Sequence, residues 1–301
     1  MSLRTTIAPI APYRLDLTAQ ALRRVSSNIV DVLTPEGTYL RALRRGNCVN
    51  IVEVQQQADG LLAVRITGRD ADVHLETVRT LLGTGVDLRR WYRRAARFPW
   101  LAALARHFRG VKPPRYPDLW EALCNGIVFQ QLSILAASSI MRRLVERFSE
   151  SLEHHGMPLR VFPDPATIMQ ASDETLLRLG LSRQKVRYLK NAGTAVTSGA
   201  LTSARIESLP TAEARVALQA VSGIGRWSAA NILLRGFGRL DVFPMGDTGV
   251  AQNIKLLSGD AHISLDEVLL GLGDMQGMLY FHLLLGKLCN RPAFSSTDIL
   301  N

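Results

Sequence analysis

Two glycines flank an isoleucine at Gly223, Ile224 and Gly225, between two segments with helical periodicity, residues 212–220 and 226–235. The free N–H groups and the dipole at the start of the second helix favour an anion there. Glycines would let a phosphate approach the backbone without obstruction, and Arg226 adds charge beside it. The pattern therefore predicts a backbone anion site. An ordinary tight turn, with Ile224 packed between the helices, is the alternative interpretation.

A second candidate residue is Asp247, which follows the chain-breaking Pro244 and Gly246 and precedes a helical run over residues 250–257. In the simplest interpretation Asp247 is only the N-cap of that helix. A carboxylate at a helix N-terminus is also kept ionised by the helix dipole. Asp247 is therefore a candidate for stabilising positive charge in a reaction.

We expect two domains to position these residues. Residues 49–54 and 61–66 are β-rich runs separated by a polar turn at residues 58–60, and residues 75–82 are helical up to Gly83. We therefore expect an α+β domain with a small antiparallel sheet over residues 1–97. Residues 98–301 are expected to form a mostly α-helical domain with no second β-rich region.

Capping residues mark the helices of the second domain. Asp118 with Glu121 predicts the start of a long helix that runs through Phe148. Ser172 predicts a helix from Asp173 to about Gly180, and Ser264 with Glu267 predicts a further capping pair. Gly236 is expected to end the helix that follows the glycine turn.

The composition indicates which binding partner, which metal or disulfide sites and which cellular location to expect. The 301 residues include 36 Lys+Arg against 26 Asp+Glu, a net charge of +10, which favours a polyanionic partner. Three distant cysteines predict neither a disulfide framework nor a zinc knuckle, and the adjacent His154 and His155 are expected in a solvated loop rather than in a metal site. No signal peptide or membrane span is expected, which predicts a cytoplasmic protein.

Several motifs together resemble one family. Residues 223–227 (Gly-Ile-Gly-Arg-Trp) are followed by 241–244 (Asp-Val-Phe-Pro) and by Gly246-Asp247. Residues 119–138 resemble a long helix carrying Gly-Gln-Gln-Val-Ser, and residues 180–190 a Gly-Leu-Ser…Lys helix. These motifs resemble the helix–hairpin–helix DNA glycosylases, and among them the bacterial 3-methyladenine DNA glycosylase II type. The similarity covers residues 75–260 and, more loosely, the N-terminal domain.

This resemblance implies roles for particular residues. The catalytic aspartate of the family corresponds to Asp247, and the residue wedged into the duplex gap corresponds to Gln131. The base pocket corresponds to Phe129, where the family usually has a small glycine, to Gln130 and to Trp227, for which core packing is an equal alternative. The DNA-binding positions correspond to Val221, Gly223, Ile224, Gly225, Arg226 and Thr248.

The resemblance also bears on metals and on strand cleavage. In the family, backbone carbonyls of the hairpin often hold an alkali metal ion, and these carbonyls correspond to Gln219, Val221 and Ile224. No side-chain metal site and no cofactor are implied. Relatives that also cleave the strand have a Schiff-base lysine where this chain has Trp227. We therefore expect no lyase activity.

The chemistry is consistent with a single carboxylate. The N-glycosidic bond breaks with oxocarbenium character at the sugar, so Asp247 would stabilise that charge and orient a water. A positively charged alkylated base is already a good leaving group, but it must first leave the stack. The expected function is therefore a monofunctional glycosylase that excises alkylated bases: 3-methyladenine, 7-methylguanine and, as a further candidate, methylated cytosine. The expected partner is double-stranded DNA, which a nucleoid-associated monomer would bind for base excision repair.

Two alternatives stay open. A glycosylase of the same superfamily could act on uracil, hypoxanthine or oxidised guanine, although the last usually requires the lysine that Trp227 replaces. A non-catalytic helix–hairpin–helix module would bind DNA without excision. In relatives, aromatic residues often stand at the positions of Gly277, Thr248 and Asn231, so we expect a more open pocket here. Such a pocket would favour charged over neutral lesions.

Overall fold

The computed structural model describes residues 2–246, 254 and 264–289. Its N-terminal part is a five-stranded antiparallel sheet with strand order β1-β5-β4-β3-β2. The strands are β1 (Ser2–Ile7), β2 (Asp31–Leu33), β3 (Tyr39–Arg45), β4 (Cys48–Gln56) and β5 (Leu62–Thr67). Helix α1 (Leu15–Arg23) lies between β1 and β2 in the chain. The two β-rich runs seen in the sequence form the β4–β5 hairpin, as predicted.

The remainder is mostly helical, so the α+β fold class is confirmed. Asp118 and Ser172 cap helices as predicted, because their side chains accept hydrogen bonds from the N–H groups of Glu121 and Thr175. The helices that follow α1 are α2 (Leu75–Leu81), α3 (Arg89–Ala95), α4 (Pro99–His107), α5 (Leu119–Val128), α6 (Ile134–Phe148), α7 (Pro165–Gln170), α8 (Asp173–Arg178), α9 (Arg183–Thr197), α10 (Ser203–Ser208), α11 (Thr211–Gln219), α12 (Arg226–Phe237), α13 (Leu265–Leu272) and α14 (Gln276–Leu288).

Two predicted boundaries are wrong. The long helix expected up to Phe148 is interrupted: α5 ends at Val128, and α6 starts after Ser133, which caps it. Gly236 does not end α12, since the helix continues to Phe237 and its left-handed C-cap is Gly238. A side chain on Gly236 would lie 2.8 Å from the Cβ of Ala122, so this glycine allows α12 to approach α5 closely.

The helix start predicted at Ser264 is confirmed, because Ser264 is the N-cap of α13, but its side chain makes no capping hydrogen bond. The sequence also gave no sign of a second β region. The structure contains a short antiparallel hairpin of β6 (Leu152–His154) and β7 (Met157–Leu159). Its residue Leu159 packs with Leu40 and Ala42 of strand β3, so the hairpin covers a face of the sheet.

One hydrophobic cluster runs from the sheet into the helices, from Ile7 on β1 to Leu285 on α14. Residues Leu265–Leu288 are long and apolar enough to cross a membrane by length and composition. However, 67% of the most apolar window in that stretch is buried inside the protein. The segment is therefore apolar because it packs in the core of the protein.

A buried ion pair connects the sheet to α5. Arg41 on β3 is 1% exposed and contacts the carboxylates of Asp31 on β2 and Glu121 on α5. The Tyr39 hydroxyl donates to Asp31 at 2.6 Å. Burial raises the pKa of Glu121, and the positive charge of Arg41 opposes that rise. One guanidinium therefore holds two acidic side chains from different elements.

We expect Arg41→Leu to lower the free energy of unfolding by about 3–5 kcal/mol, because it leaves two buried carboxyl groups without their cation. Arg44→Leu is the matched control, since Arg44 lies on the same strand but is exposed. The control should change stability by less than about 0.5 kcal/mol. Urea denaturation of both variants measures the difference, and equal stabilities would contradict the role given to Arg41.

Candidate functional site

A wide groove separates the α5–α6 connection from the turn between α11 and α12. Its walls include Phe129, Gln130, Gln131 and the hairpin residues 221–228, and α14 closes one side with Tyr280. The structure thus brings the hairpin, the wedge candidate and the pocket candidates together. Asp247 and Thr248 lie outside the described residues, but Gly246, the residue before Asp247, lines the same groove.

The hairpin needs its first glycine for two reasons. Gly223 has a φ of +98°, and a Cβ there would lie 2.2 Å from the Tyr188 ring. Ile224 is 4% exposed, so it anchors the turn in the core as the sequence indicated. Its N–H donates to the Val221 carbonyl at 3.0 Å. This carbonyl, one of three candidates for an alkali ion, keeps a second lone pair.

Gly225 serves a different purpose. It is the N-cap of α12 with extended backbone, and an added Cβ would meet no atom within 4 Å. The first N–H groups of α12 have no intrahelical partners, and no side chain of Gly225 covers them. Arg226 beside them is exposed. The turn is therefore both a tight helix connection and an uncovered helix N-terminus.

Gln130 connects the two walls of the groove. Its amide nitrogen donates to the Gly223 carbonyl at 2.8 Å and to the Ser228 hydroxyl at 2.7 Å. The Ser228 hydroxyl in turn donates to the Gly126 carbonyl of α5 at 3.0 Å. Gln130 therefore fixes the distance between the α5 end and the hairpin. Gln130 can therefore take its predicted role in the pocket only while its amide nitrogen keeps these two hydrogen bonds.

Lys185 of α9 lines the groove and contacts the end of α5. Its ammonium group donates to the carbonyls of Val128 and Gln130 at 2.7 and 2.8 Å. Burial lowers the pKa of Lys185. The side chain caps the end of α5 and supports the residue before Gln131. Sequence reasoning missed this role because the partners are backbone atoms more than fifty residues away.

Gln131 has a left-handed backbone, with a φ of +55°, and an exposed side chain. A residue other than glycine in this conformation has a conformational cost of roughly 1–2 kcal/mol. Leu132 next to it is 39% exposed and lines the groove as well. The α5–α6 connection therefore presents the polar Gln131 and the apolar Leu132 side by side in the groove.

The inner end of the groove contains aromatic rings and a buried cation. Arg24, which follows α1, is 5% exposed, and its guanidinium lies 3.9 Å from the centre of the Phe129 ring. Tyr280 lies nearby, with its hydroxyl 3.5 Å from the amide of the buried Asn231. Burial by itself would raise the pKa of Tyr280, but the charges of Arg24 and Arg235 lower it to about 8.

Relatives often have an aromatic residue at the position of Gly277 on α14, but Gly277 is not a position from which a side chain could reach the groove. Gly277 faces away from the groove, because a Cβ there would lie 2.6 Å from a Leu234 methyl and 3.0 Å from the Val242 carbonyl. Tyr280, one turn later, faces the groove instead. Nothing in the local sequence marked Tyr280, or Arg24 at the end of α1, as a residue of the groove.

Residues 124–268 match the model of the HhH-GPD superfamily, described as base excision DNA repair proteins. The matched segment, residues 124–268, belongs to this superfamily. The DNA-3-methyladenine glycosylase of Bacillus subtilis is 32% identical over 171 residues, 57% of this chain and 56% of the relative. DNA-3-methyladenine glycosylase 2 of Escherichia coli is 28% identical over 145 residues, 48% of this chain and 50% of the relative. The matches thus span about half the length of these relatives.

Solved structures share the fold of both parts of the chain. The 3-methyladenine DNA glycosylase from Archaeoglobus fulgidus superposes with a TM-score of 0.78 and 22% identity, covering 93% of this chain and 97% of that one. An 8-oxoguanine glycosylase/lyase of Clostridium acetobutylicum bound to DNA gives a TM-score of 0.76 with 18% identity, covering 96% and 98%. At these identities the likeness concerns the fold.

The two glycines of the hairpin should respond differently to alanine. Gly223→Ala should lower the free energy of unfolding by at least about 1–2 kcal/mol, because the left-handed backbone resists a side chain and the Tyr188 ring must move. Gly225→Ala should change it by less than about 1 kcal/mol, since its backbone is extended and its surroundings are open. Thermal or urea unfolding of both variants tests this, and equal losses would contradict it.

Proposed function

We propose that the protein is a monofunctional DNA glycosylase that releases alkylated bases from double-stranded DNA. The observation that carries the proposal is the groove itself. An uncovered helix N-terminus, an exposed left-handed glutamine and a ring-lined inner end lie on its walls. The residue that precedes the candidate carboxylate Asp247 lines the same groove. Membership in a superfamily of base excision repair proteins supports the assignment.

Each part of the groove would contribute one step. The α12 N–H groups behind Gly225, together with Arg226, would bind a DNA phosphate without reading the sequence. Gln131 would fill the space that the extruded nucleotide leaves in the stack. The damaged base would then lie near Phe129 and Tyr280. Trp227 lines the groove and is only partly buried, which is compatible with contact to the base.

The chemical step would need only one carboxylate. The bond between the sugar and the base breaks, its electron pair leaves with the base, and the Asp247 carboxylate stabilises the positive sugar. A water oriented by the same carboxylate would then add to the sugar carbon and lose one proton to the carboxylate, which leaves an abasic site. A cationic alkylated base leaves without prior protonation. Phe129 and Tyr280 would stack with it, although Arg24 already covers one face of the Phe129 ring.

Incubation of the protein with methylated duplex DNA, followed by identification of the released bases, tests this function. We expect release of 3-methyladenine and 7-methylguanine, and little activity on hypoxanthine or uracil. Asp247→Asn should abolish excision while DNA affinity and unfolding temperature stay close to those of the parent protein. Excision at the parental rate by the Asn variant would refute the role of Asp247, and binding without any excision by the parent would indicate a DNA-binding module.

We expect no covalent intermediate with DNA. Trp227 stands where bifunctional relatives have a lysine. The nearby Lys185 is committed to the carbonyls of Val128 and Gln130. Borohydride added during turnover should therefore trap no protein–DNA adduct. A trapped adduct would refute a purely hydrolytic mechanism, and peptide mapping would show whether Lys185 had formed it.

Gly225→Val should weaken binding to all duplexes by the same factor, because the valine side chain would cover the α12 N–H groups. Hydrogen bonds to charged groups contribute about 1.5–3 kcal/mol, so the loss should be roughly tenfold or more. Gly85→Val is the matched control, since Gly85 also has open surroundings but does not line the groove. Unchanged affinity in a folded Gly225→Val protein would exclude the phosphate contact.

A further inference from the structure

Outside the groove, the β6–β7 hairpin brings three potential metal ligands together. Glu53 lies on β4, and His154 and His155 lie at the tip of the hairpin. Their donor atoms all lie within 4.8 Å of one another. The two histidines were expected in a solvated loop. His155 does lie in an exposed turn, but His154 is a partly buried strand residue, and both imidazoles contact the Glu53 carboxylate.

The backbone of the hairpin explains why both rings reach one carboxylate. Consecutive side chains on a strand point to opposite faces of the sheet. His155 and Gly156 are instead the two central residues of a tight turn between His154 and Met157, with φ values of +53° and +68°. Glycine or asparagine is the usual choice at such positions. The left-handed conformation of His155 turns its ring to the side of His154, with 4.4 Å between the ring centres.

The polar contacts within the cluster are incomplete. His155 Nε2 forms a hydrogen bond with Glu53 Oε2 at 2.9 Å. His154 Nε2 is 3.1 Å from Glu53 Oε1, but these two atoms form no hydrogen bond, and both are buried. Glu53 as a whole is only 9% exposed. Buried polar atoms without partners are rare and point to an ion or a water that completes the site.

We propose that Glu53, His154 and His155 bind a divalent transition-metal ion of the zinc class. Two imidazoles and one carboxylate are a ligand set that zinc accepts, with bonds of about 2.0–2.2 Å. A tetrahedron of that size has edges of roughly 3.3 Å, close to the nitrogen–oxygen distances in the cluster. The ion would bind His154 Nε2 and Glu53 Oε1, which lie 3.1 Å apart without forming a hydrogen bond.

The charges around the cluster permit a cation. Arg65 lies opposite Glu53 on β5, with 3.8 Å between Nη1 and Oε1. Its side chain is 44% exposed, so it can turn towards solvent when the ion binds. The exposed Glu36 interacts electrostatically with His155 and adds negative charge. Because His154 and His155 belong to the hairpin and Glu53 to the sheet, the ion would fasten the hairpin to the sheet.

Calorimetric titration of the full chain, prepared without added histidines and treated with chelator, tests the proposal. We expect one zinc ion per chain, and one cobalt ion with the visible absorption bands of tetrahedral coordination. His154→Ala, His155→Ala and Glu53→Gln should each weaken binding by about tenfold or more. His107→Ala, which removes an exposed histidine of α4, should bind as the parent does.

At one zinc concentration, zinc should also raise the unfolding temperature of the parent and of His107→Ala more than that of the three ligand variants. Glu53→Gln keeps the shape of the side chain, and its circular dichroism spectrum establishes whether it is folded. Failure of the parent to bind zinc in a one-to-one ratio would overturn the proposal. Parental affinity in a folded Glu53→Gln or His155→Ala protein would overturn it as well.

Discussion

The pairing of Arg41 with Asp31 and Glu121 is the constraint on which the rest of the structure depends. Glu121 lies in the first turn of α5, and the last turn of the same helix leads into Phe129, Gln130 and Gln131. A buried guanidinium needs all of its partners, because a lone charge in the core is very unfavourable. The sheet and α5 are therefore held in one relative position. The sheet domain thus acts on the groove by fixing the helix that supplies one of its walls.

Polar contacts fix the relative positions of the groove walls. Gln130 joins the end of α5 to the hairpin, and Lys185 joins the same end to α9. These contacts are made to backbone carbonyls, so they fix main-chain positions and leave the surfaces of Gln131, Gly225 and Arg226 accessible. Arg24 from the sheet domain completes the inner end next to Phe129. The proposed binding of DNA and of an extruded base would require this combination of rigid walls and uncovered donors.

Local features of the sequence were sufficient for the elements and for part of the site. The hairpin could be predicted because glycine at positive φ and an isoleucine between two helical patterns are short-range signals. The caps at Asp118 and Ser172 and the β4–β5 hairpin were predicted for the same reason. Their hydrogen bonds join residues that are close in the chain. The family motifs added Gln131 and Asp247, of which Gln131 lies in the groove and Asp247 outside the described residues.

Contacts between distant residues were decided only by the tertiary structure. Lys185, Arg24 and Tyr280 lie in the groove because they contact residues far away in the chain. Nothing in their local sequence distinguishes them from surface or core residues. Gly277 and Gly236 were misjudged because their neighbours on other helices, not the chain itself, require the missing side chain. The convergence of His154 and His155 on Glu53 depends on a left-handed turn about one hundred residues after that carboxylate. Local sequence determined the caps and turns, because backbone preferences act over a few residues. The tertiary structure determined which side chains meet, because packing acts across the whole fold.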